Sequence, residues 1–452
     1  MAETRPSTNN TVARPAKRLR LVVLGGRPDS LPAPNGTALS ADPRAGFDVA
    51  LVVGPVDAAA LWSALEIGRA LLAPVLDFTG GRGGDRCDIR VPSLMPASLQ
   101  EALLAVIPIL RYTRAIGDIT KLPDWEGLYV LGMAHSRQAQ ISASWTPSVP
   151  EAVHHPLLGP GGGRKTLEWL AELGLLERSF FGRTNLCSHC ASARLNAFEA
   201  CAKCGSASLR EDRLIHHYPC GAQAPEARFL HGEQLICPKC HKELRHIGVD
   251  YDRPGTVFVC AECGEAMADP EVRFVCLDCA QLTPSDVAQT LDWFHYRITA
   301  DGVKALEAKR LPHRDMAEAF KVLPGALSVR DFLLVAQKEY EIAARYKRPF
   351  ALARLRIENY DALLEKHGSL VLDESIRLFV RLVAETLRTS DSVAVTARRE
   401  VFLALPETAA AKMETILGRL HAKIRDVMTL RLEITSSVTE GEDAAKLLDA
   451  CR

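Results

Sequence analysis

Hydrophobic positions in the first hundred residues come in short blocks. RLRLVVLG, FDVALVVG and APVLDFTG are β-branched and leucine-rich runs, the pattern of strands buried on both faces. Between the last two, DAAALWSALEIGRALL repeats its apolar residues at helical spacing, and SLQEALLAVIPIL does so after a further short strand, DIRVP. Strands alternating with helices predict a parallel α/β sheet over residues 20–112. A helix-rich connector with KTLEWLAELGLLE follows, its leucines on one face, and PSDVAQTLDWFHYRITADGVKALEAK is a later amphipathic stretch. From about 322 the alternation returns: RPFALARLRI and EVFLALP read as strands and DESIRLFVRLVAETLR as the helix between them. The polar start, rich in Pro, Thr, Asn and Arg, reads as a disordered tail at 1–19, and 441–452 as a C-terminal tail.

At 452 residues the chain is long enough for about three domains. Its 55 basic and 55 acidic residues cancel, which excludes wholesale attraction to nucleic acid or anionic membrane and leaves only local patches. No apolar run approaches the length of a membrane span, and LRLVVL is too short for a secretion signal, so a cytoplasmic protein with reduced thiols is expected.

Cysteine changes the picture most. Eleven of the thirteen lie between 187 and 279, and ten of those form five C-x-x-C pairs: Cys187/Cys190, Cys201/Cys204, Cys237/Cys240, Cys260/Cys263 and Cys276/Cys279. One such pair could be a redox dithiol; five in tandem point to zinc, which takes four soft ligands, two from each tight knuckle. Cys220 lacks a cysteine partner, but HYPC puts His217 at the same two-residue gap and completes a sixth knuckle. Sequential pairing gives three sites and three structural Zn²⁺: Cys187, Cys190, Cys201 and Cys204; His217, Cys220, Cys237 and Cys240; Cys260, Cys263, Cys276 and Cys279. CPKC and CAECG also have ribbon spacing, which leaves a second pairing open, and His216 stands as the reserve ligand. Twelve ligands fill three tetrahedra and leave no open position for catalysis. His231, His241 and His246 are read as solvated or hydrogen-bonded.

Three resemblances follow from these residues. The first segment resembles a response-regulator receiver with its chemistry removed. Gly25 and Gly26 stand where acidic residues follow the first strand, Val53 stands at the phospho-acceptor position, and Val91 precedes Pro92 in place of the lysine. Thr79 alone fits the phosphate-sensing hydroxyl, and the stretch from Gly26 to Phe47 is too short for a complete helix–strand–helix. CSHCASARL, CAKCGS, LIHHYPCG, LICPKCHKELRHIGVDYD and CLDC resemble the zinc-ribbon output domain first described in thaumarchaeal signalling proteins, over about 150–310. This resemblance implies a signalling context and no particular reaction.

ARYKRPFALARLRIENYDALLEKHG and the segment from DESIRLF to LALPET resemble a GGDEF domain, the diguanylate cyclase fold. ARREV, Ala397 to Val401, occupies the signature turn, where Ala397 and Arg398 replace the glycines. Arg399 and Arg356 stand where the resemblance places metal-binding carboxylates, Leu364 replaces the guanine-contacting Asn, and its companion is retained as Asp373. Cyclases need those carboxylates to hold metal on the triphosphate, so an inactive enzyme is expected. Arg388 and Asp391 keep R-x-x-D, which the resemblance implies is an inhibitory cyclic di-GMP site.

Together these imply a multidomain α/β and zinc-ribbon protein. A receiver-like parallel sheet spans 20–112, tandem zinc ribbons with flanking helices span 113–310, and an α+β GGDEF-like domain spans 322–440. The expected function is a non-enzymatic signalling adaptor or effector that responds to cyclic di-GMP through Arg388 and Asp391. Its expected partners are signalling proteins, with a second copy of the chain among the candidates. The alternative is a zinc-ribbon nucleic-acid-binding transcriptional regulator, favoured by a wing-like YRITADGVKAL and opposed by acids such as Glu211, Asp212 and Asp250 mixed among the bases. A third, an enzyme with an open zinc site, requires a missing ligand.

Overall fold

The computed structural model describes residues 18–440, apart from 33, 82–85, 148, 162, 314–315, 324 and 397–398. The tail sequences at 1–17 and 441–452 lie outside the described residues. Contacts divide the chain into two compact units, one formed by residues up to 141, 157–178 and 296 onward, the other by 142–156 and 179–295.

The first unit contains two sheets. Five parallel strands, β1 (Leu19–Leu24), β2 (Thr37–Ser40), β3 (Val49–Val52), β4 (Val75–Asp77) and β5 (Ile89–Arg90), run in the order 2-1-3-4-5. β1 begins inside the stretch assigned to the tail, at Leu19. β2 escapes the sequence pattern because it is a four-residue, half-exposed edge strand, TALS, flanked by 3₁₀ turns at Pro28–Ser30 and Pro43–Ala45 instead of helices. Leu21, Val23, Val49, Leu51 and Leu76 supply the sheet's share of the core. Helix α1 (Ala58–Ile67) is capped by Asp57, whose carboxylate accepts the Ala60 N–H. SLQEALLAVIPIL is not one helix but two, α2 (Pro96–Ala105) and α3 (Ile107–Ile116), because Pro108 cannot donate a hydrogen bond back across the junction.

Helix α4 (Trp125–Arg137) is buried around nearly its whole circumference, from Gly127 through Ala134. It is fastened by a buried ionic cluster. Asp88 accepts from Arg137 Nε at 2.8 Å and from Arg86 Nη1 at 2.9 Å, with all three side chains at most 5% exposed. Helices α5 (Arg164–Glu172) and α6 (Ala300–Ala308) belong to this unit too. The stretch 284–309 is therefore not one amphipathic element: Gln289–Ile298 is a strand and α6 follows it.

The second sheet of the unit is antiparallel, with strands Ser392–Val395, Glu400–Pro406, Phe350–Ile357 and Ile434–Glu440 in that order. Helices α7 (Met316–Phe320), α8 (Val329–Tyr346), α9 (Tyr360–Ala384) and α10 (Ala410–Val427) accompany it. α9 is kinked at Gly368, whose φ of +80° is outside helical geometry. Its core gathers Leu372, Phe379, Leu403, Leu417 and Leu420. Among the described residues, no helix is long and apolar enough to cross a membrane.

The second unit has thin cores, such as Ile215, Phe229, Cys237, Leu244 and Tyr251 around one knuckle pair. Long antiparallel strands carry it: Leu195–Ala200 pairs with Glu271–Cys276, and Leu209–His217 with Tyr251–Cys260.

The Arg86–Asp88–Arg137 cluster generates a prediction. Burial opposes ionisation of Asp88, but the two guanidiniums hold its carboxyl well below the usual carboxylate range. Asp88→Ala strands two buried cations and should cost the first unit about 3–5 kcal/mol in urea denaturation. Because the folded pKa is depressed, the carboxylate's contribution is present above the ordinary carboxylate range. It is lost as pH falls through that range toward the folded value, and the variant's stability should show no such loss.

Candidate metal centres

Six tight turns present the ligands, and all six share one backbone pattern. The N–H of the fourth residue after the first ligand returns to that ligand's carbonyl: Ala191 to Cys187, Gly205 to Cys201, Gly221 to His217, His241 to Cys237, Gly264 to Cys260 and Ala280 to Cys276, at 2.7–2.9 Å. The donor residue always has positive φ, from 56° to 76°. Glycine adopts that conformation at no cost, and it stands at 205, 221 and 264. His217–Gly221 obeys the rule, so H-x-x-C is a true sixth knuckle and Cys220 is its second member. In each knuckle the first ligand is buried, at 2% exposure or less.

The ligand atoms gather into three groups, each within 4.8 Å of one another, and each group could hold a metal ion. All twelve expected ligands take part, but two of the three pairings differ from the sequential expectation. Cys187 and Cys190 meet Cys276 and Cys279, with Sγ separations of 3.7 and 3.6 Å. Cys201 and Cys204 meet Cys260 and Cys263, at 3.6 and 3.5 Å. His217, Cys220, Cys237 and Cys240 form the third group as expected, with His217 Nδ1 at 3.1 Å from Cys220 and 3.5 Å from Cys240. His216 stays outside, 3.5 Å from Asp252.

The strands explain the correction. The six residues Leu195–Ala200 between the first two knuckles form an extended strand, which spans about 20 Å and holds those knuckles apart. Antiparallel pairing of that strand with Glu271–Cys276 brings 187–190 to 276–279 at one end, and Leu209 opposite Cys260 brings 201–204 to 260–263. The chain goes out through three knuckles and returns, and the groups are rungs between the two legs. Desolvation and neighbouring sulfurs push the second-ligand thiols Cys190, Cys204, Cys263 and Cys279 up, but knuckle N–H groups favour thiolate at two first ligands. Those of Cys190 and His189 bring the Cys187 thiol down to about 6, and that of Cys263, joined by Glu262, brings Cys260 to about 7.

The residues that carry the receiver resemblance pack within the first unit. Gly25 and Gly54 touch backbone to backbone at the β1/β3 ends, so that a Cβ on Gly54 would lie 2.0 Å from the Gly25 carbonyl oxygen. Val53 is an apolar partner of that core. Thr79 donates to buried Asp77 at 2.6 Å, and Val91 is buried.

In the C-terminal part, Arg356 pairs across the sheet with Glu400, beside Arg399. Arg356 lies 3.3 Å from Glu358. Arg399, at φ 62°, stacks 4.1 Å over the Tyr360 ring and reaches Asp361 at 2.5 Å. Ala397 and Arg398 lie outside the described residues. Leu364 packs on the core. Asp373 is buried and accepts the Trp169 indole N–H at 2.9 Å, a partner the sequence does not announce. Arg388 and Asp391 diverge. The Asp391 carboxylate is buried and accepts the Arg388 backbone N–H at 2.8 Å, while the Arg388 side chain is exposed.

Residues 127–298 match the family model of the thaumarchaeal output domain 1, TackOD1. That span contains every ligand of the three groups. A search of curated proteins finds no match. Among solved structures, the chain is similar to diguanylate cyclase SiaD of Pseudomonas aeruginosa in complex with its activator SiaC, at 21% identity over 30% of this chain and 57% of that one. It is similar also to the GGDEF domain of DgcB from Caulobacter crescentus in complex with c-di-GMP, at 15% over 31% and 90%. The FimX GGDEF domain of Pseudomonas aeruginosa matches at 15% over 31% and 91%. The TM-score is 0.26 in all three, and the match spans less than two thirds of the SiaD chain.

The nested pairing is directly testable by metal counting. Cys190→Ser with Cys276→Ser should remove one of three ions, because both residues serve one group. Cys190→Ser with Cys201→Ser should remove two. The reverse outcome would restore sequential pairing.

Proposed function

We propose that the chain is a non-enzymatic signalling adaptor or effector of the cytoplasm, built around three structural Zn²⁺. The observation that carries this reading is that the twelve soft ligands are used up in three four-atom groups, leaving no coordination position for water or substrate. The Sγ separations of 3.5–3.7 Å suit zinc, since thiolates at 2.3 Å from a tetrahedral ion lie about 3.8 Å apart.

The flanking parts support the same reading. The 2-1-3-4-5 parallel order is that of receiver-like doubly wound sheets, which bind ligands at the switch point between β1 and β3. Here the glycine contact closes that point. We assign this part as a pseudo-receiver that docks signalling proteins. In the GGDEF-like part, two arginines at the carboxylate positions repel Mg²⁺, and each already pairs with a neighbouring acid. Regulation by cyclic di-GMP through the R-x-x-D turn rests on Arg388, whose exposed guanidinium suits a phosphate or guanine edge. Asp391 contributes by fixing the turn. A duplex-reading role is disfavoured, because bases of the second unit are matched by acids: Arg183–Asp292, Arg194–Asp278, Lys203–Glu265, Arg253–Glu226 and Arg273–Glu271.

Incubated with GTP and Mg²⁺, the purified chain should yield no cyclic di-GMP; product above a heat-killed control overturns the non-enzymatic reading. In calorimetric titration, Arg388→Ala should weaken cyclic di-GMP binding by about 2 kcal/mol. The melting temperature without ligand should hardly move, since the side chain is exposed. A wild-type chain that ignores high micromolar ligand removes the nucleotide from the account.

A further inference from the structure

The first unit carries a cavity of about 190 Å³ at the amino ends of its parallel strands. Arg20 of β1, Asp48 just before β3 and the turn that follows α1 form one side, and the end of α3 with the loop to Thr120 forms the other. Doubly wound sheets bind ligands at the opposite, carboxyl ends, where here Gly25 and Gly54 meet. The wall of the cavity divides by chemistry. Phe47, Leu71, Leu72, Leu110 and Ile119 are buried apolar residues. Arg20, Arg69 and Arg114 are exposed cations, and a Cβ on Gly117 would lie 3.6 Å from Lys309 Nζ, so a further cation stands at the rim. Asp48 is the one acid among the described lining residues. Its Oδ2 accepts the Arg20 backbone N–H at 2.9 Å. It meets the guanidiniums loosely, Arg20 Nε at 3.4 Å and Arg114 Nη2 at 3.7 Å, where a charge-assisted bond is about 2.7–2.9 Å. The Arg69 guanidinium has no hydrogen-bond or ion-pair partner among the described residues. Nearby Asp118 is engaged instead by the Thr120 hydroxyl at 2.6 Å.

We propose that this cavity binds a small organic carboxylate with an apolar body. The body lies against Phe47, Leu72, Leu110 and Ile119, and the carboxylate is held by Arg69 and Arg114. A guanidinium presents paired N–H donors that match a carboxylate bidentately. The apolar wall selects against inorganic phosphate, because an anion that is polar on every side loses water there without gaining donors. A neutral molecule of the same shape gains the apolar contacts but leaves the cations unmatched. The volume lies below the roughly 300–1,000 Å³ of sites for drug-sized ligands, which limits the body to about one ring. The assignment goes beyond the adaptor reading and does not depend on it.

The test is calorimetric titration of the full chain with benzoate as the probe. Benzamide serves as its neutral counterpart and inorganic phosphate as an anion without an apolar body. Benzoate at millimolar concentration should bind, and benzamide and phosphate should not. Arg69→Gln, at an exposed side chain, should weaken benzoate binding about tenfold or more, the effect of losing a charged hydrogen-bond partner. Thr113→Phe fills the cavity from α3 with every charge in place and should abolish binding; the Thr113 hydroxyl it removes bonds the Leu110 carbonyl of the same helix. If that variant does not fold, Arg69→Gln decides alone. No binding of benzoate overturns the proposal. Equal binding of benzoate and phosphate overturns it too, as the mark of an unselective cationic patch, and so does an affinity that Arg69→Gln leaves unchanged. None of these readouts involves GTP or cyclic di-GMP, so their failure is distinct from failure of the non-enzymatic reading.

Discussion

The gathering of paired knuckles into three four-ligand groups is the constraint on which the second unit depends. Its apolar clusters are small, and its strands are long and mostly half-exposed. Burial of that kind cannot offset the conformational entropy of ordering such strands. An ion held by four such ligands would contribute on the order of 10 kcal/mol to folding, which is the scale needed. Position matters as much as energy. The groups sit at the ends of the two main antiparallel ladders, so each fixes where pairing starts and stops. A slip of one residue along Leu209–His217 would carry Cys204 away from Cys260.

Much of this was legible in the residues because C-x-x-C announces itself, and because HYPCG carries both a ligand gap and the glycine that the knuckle needs. Pairing was not legible. Ribbon spacing of ten residues fits a local hairpin as well as it fits an extended strand that leads away, and only the partner strand, some seventy residues later, decides. The same limit hid Trp169–Asp373 and Asp88–Arg137, whose members are ordinary residues until the fold brings them together. The break at Pro108 was written in the chain, but the apolar periodicity runs straight through it. β2 was missed because an edge strand needs little apolar sequence.

The two α/β parts share a logic of closure. In one, Gly25 and Gly54 meet where a doubly wound sheet usually opens. In the other, Arg399 lies over Tyr360 and Arg356 beside Glu358, and the Trp169 indole holds the Asp373 carboxylate. Each of these side chains has a specific neighbour, from the exposed Arg356–Glu358 pair to the buried Asp373 carboxylate.

The central claim is that every metal position is closed and thiolate-rich. X-ray absorption at the zinc K-edge tests it most directly. Eleven sulfur atoms and one imidazole nitrogen shared over three ions predict an average shell close to four, dominated by sulfur at about 2.3 Å. An average sulfur number near three or below, with oxygen ligands near 2.0 Å, would mean an open site and contradict the structural reading.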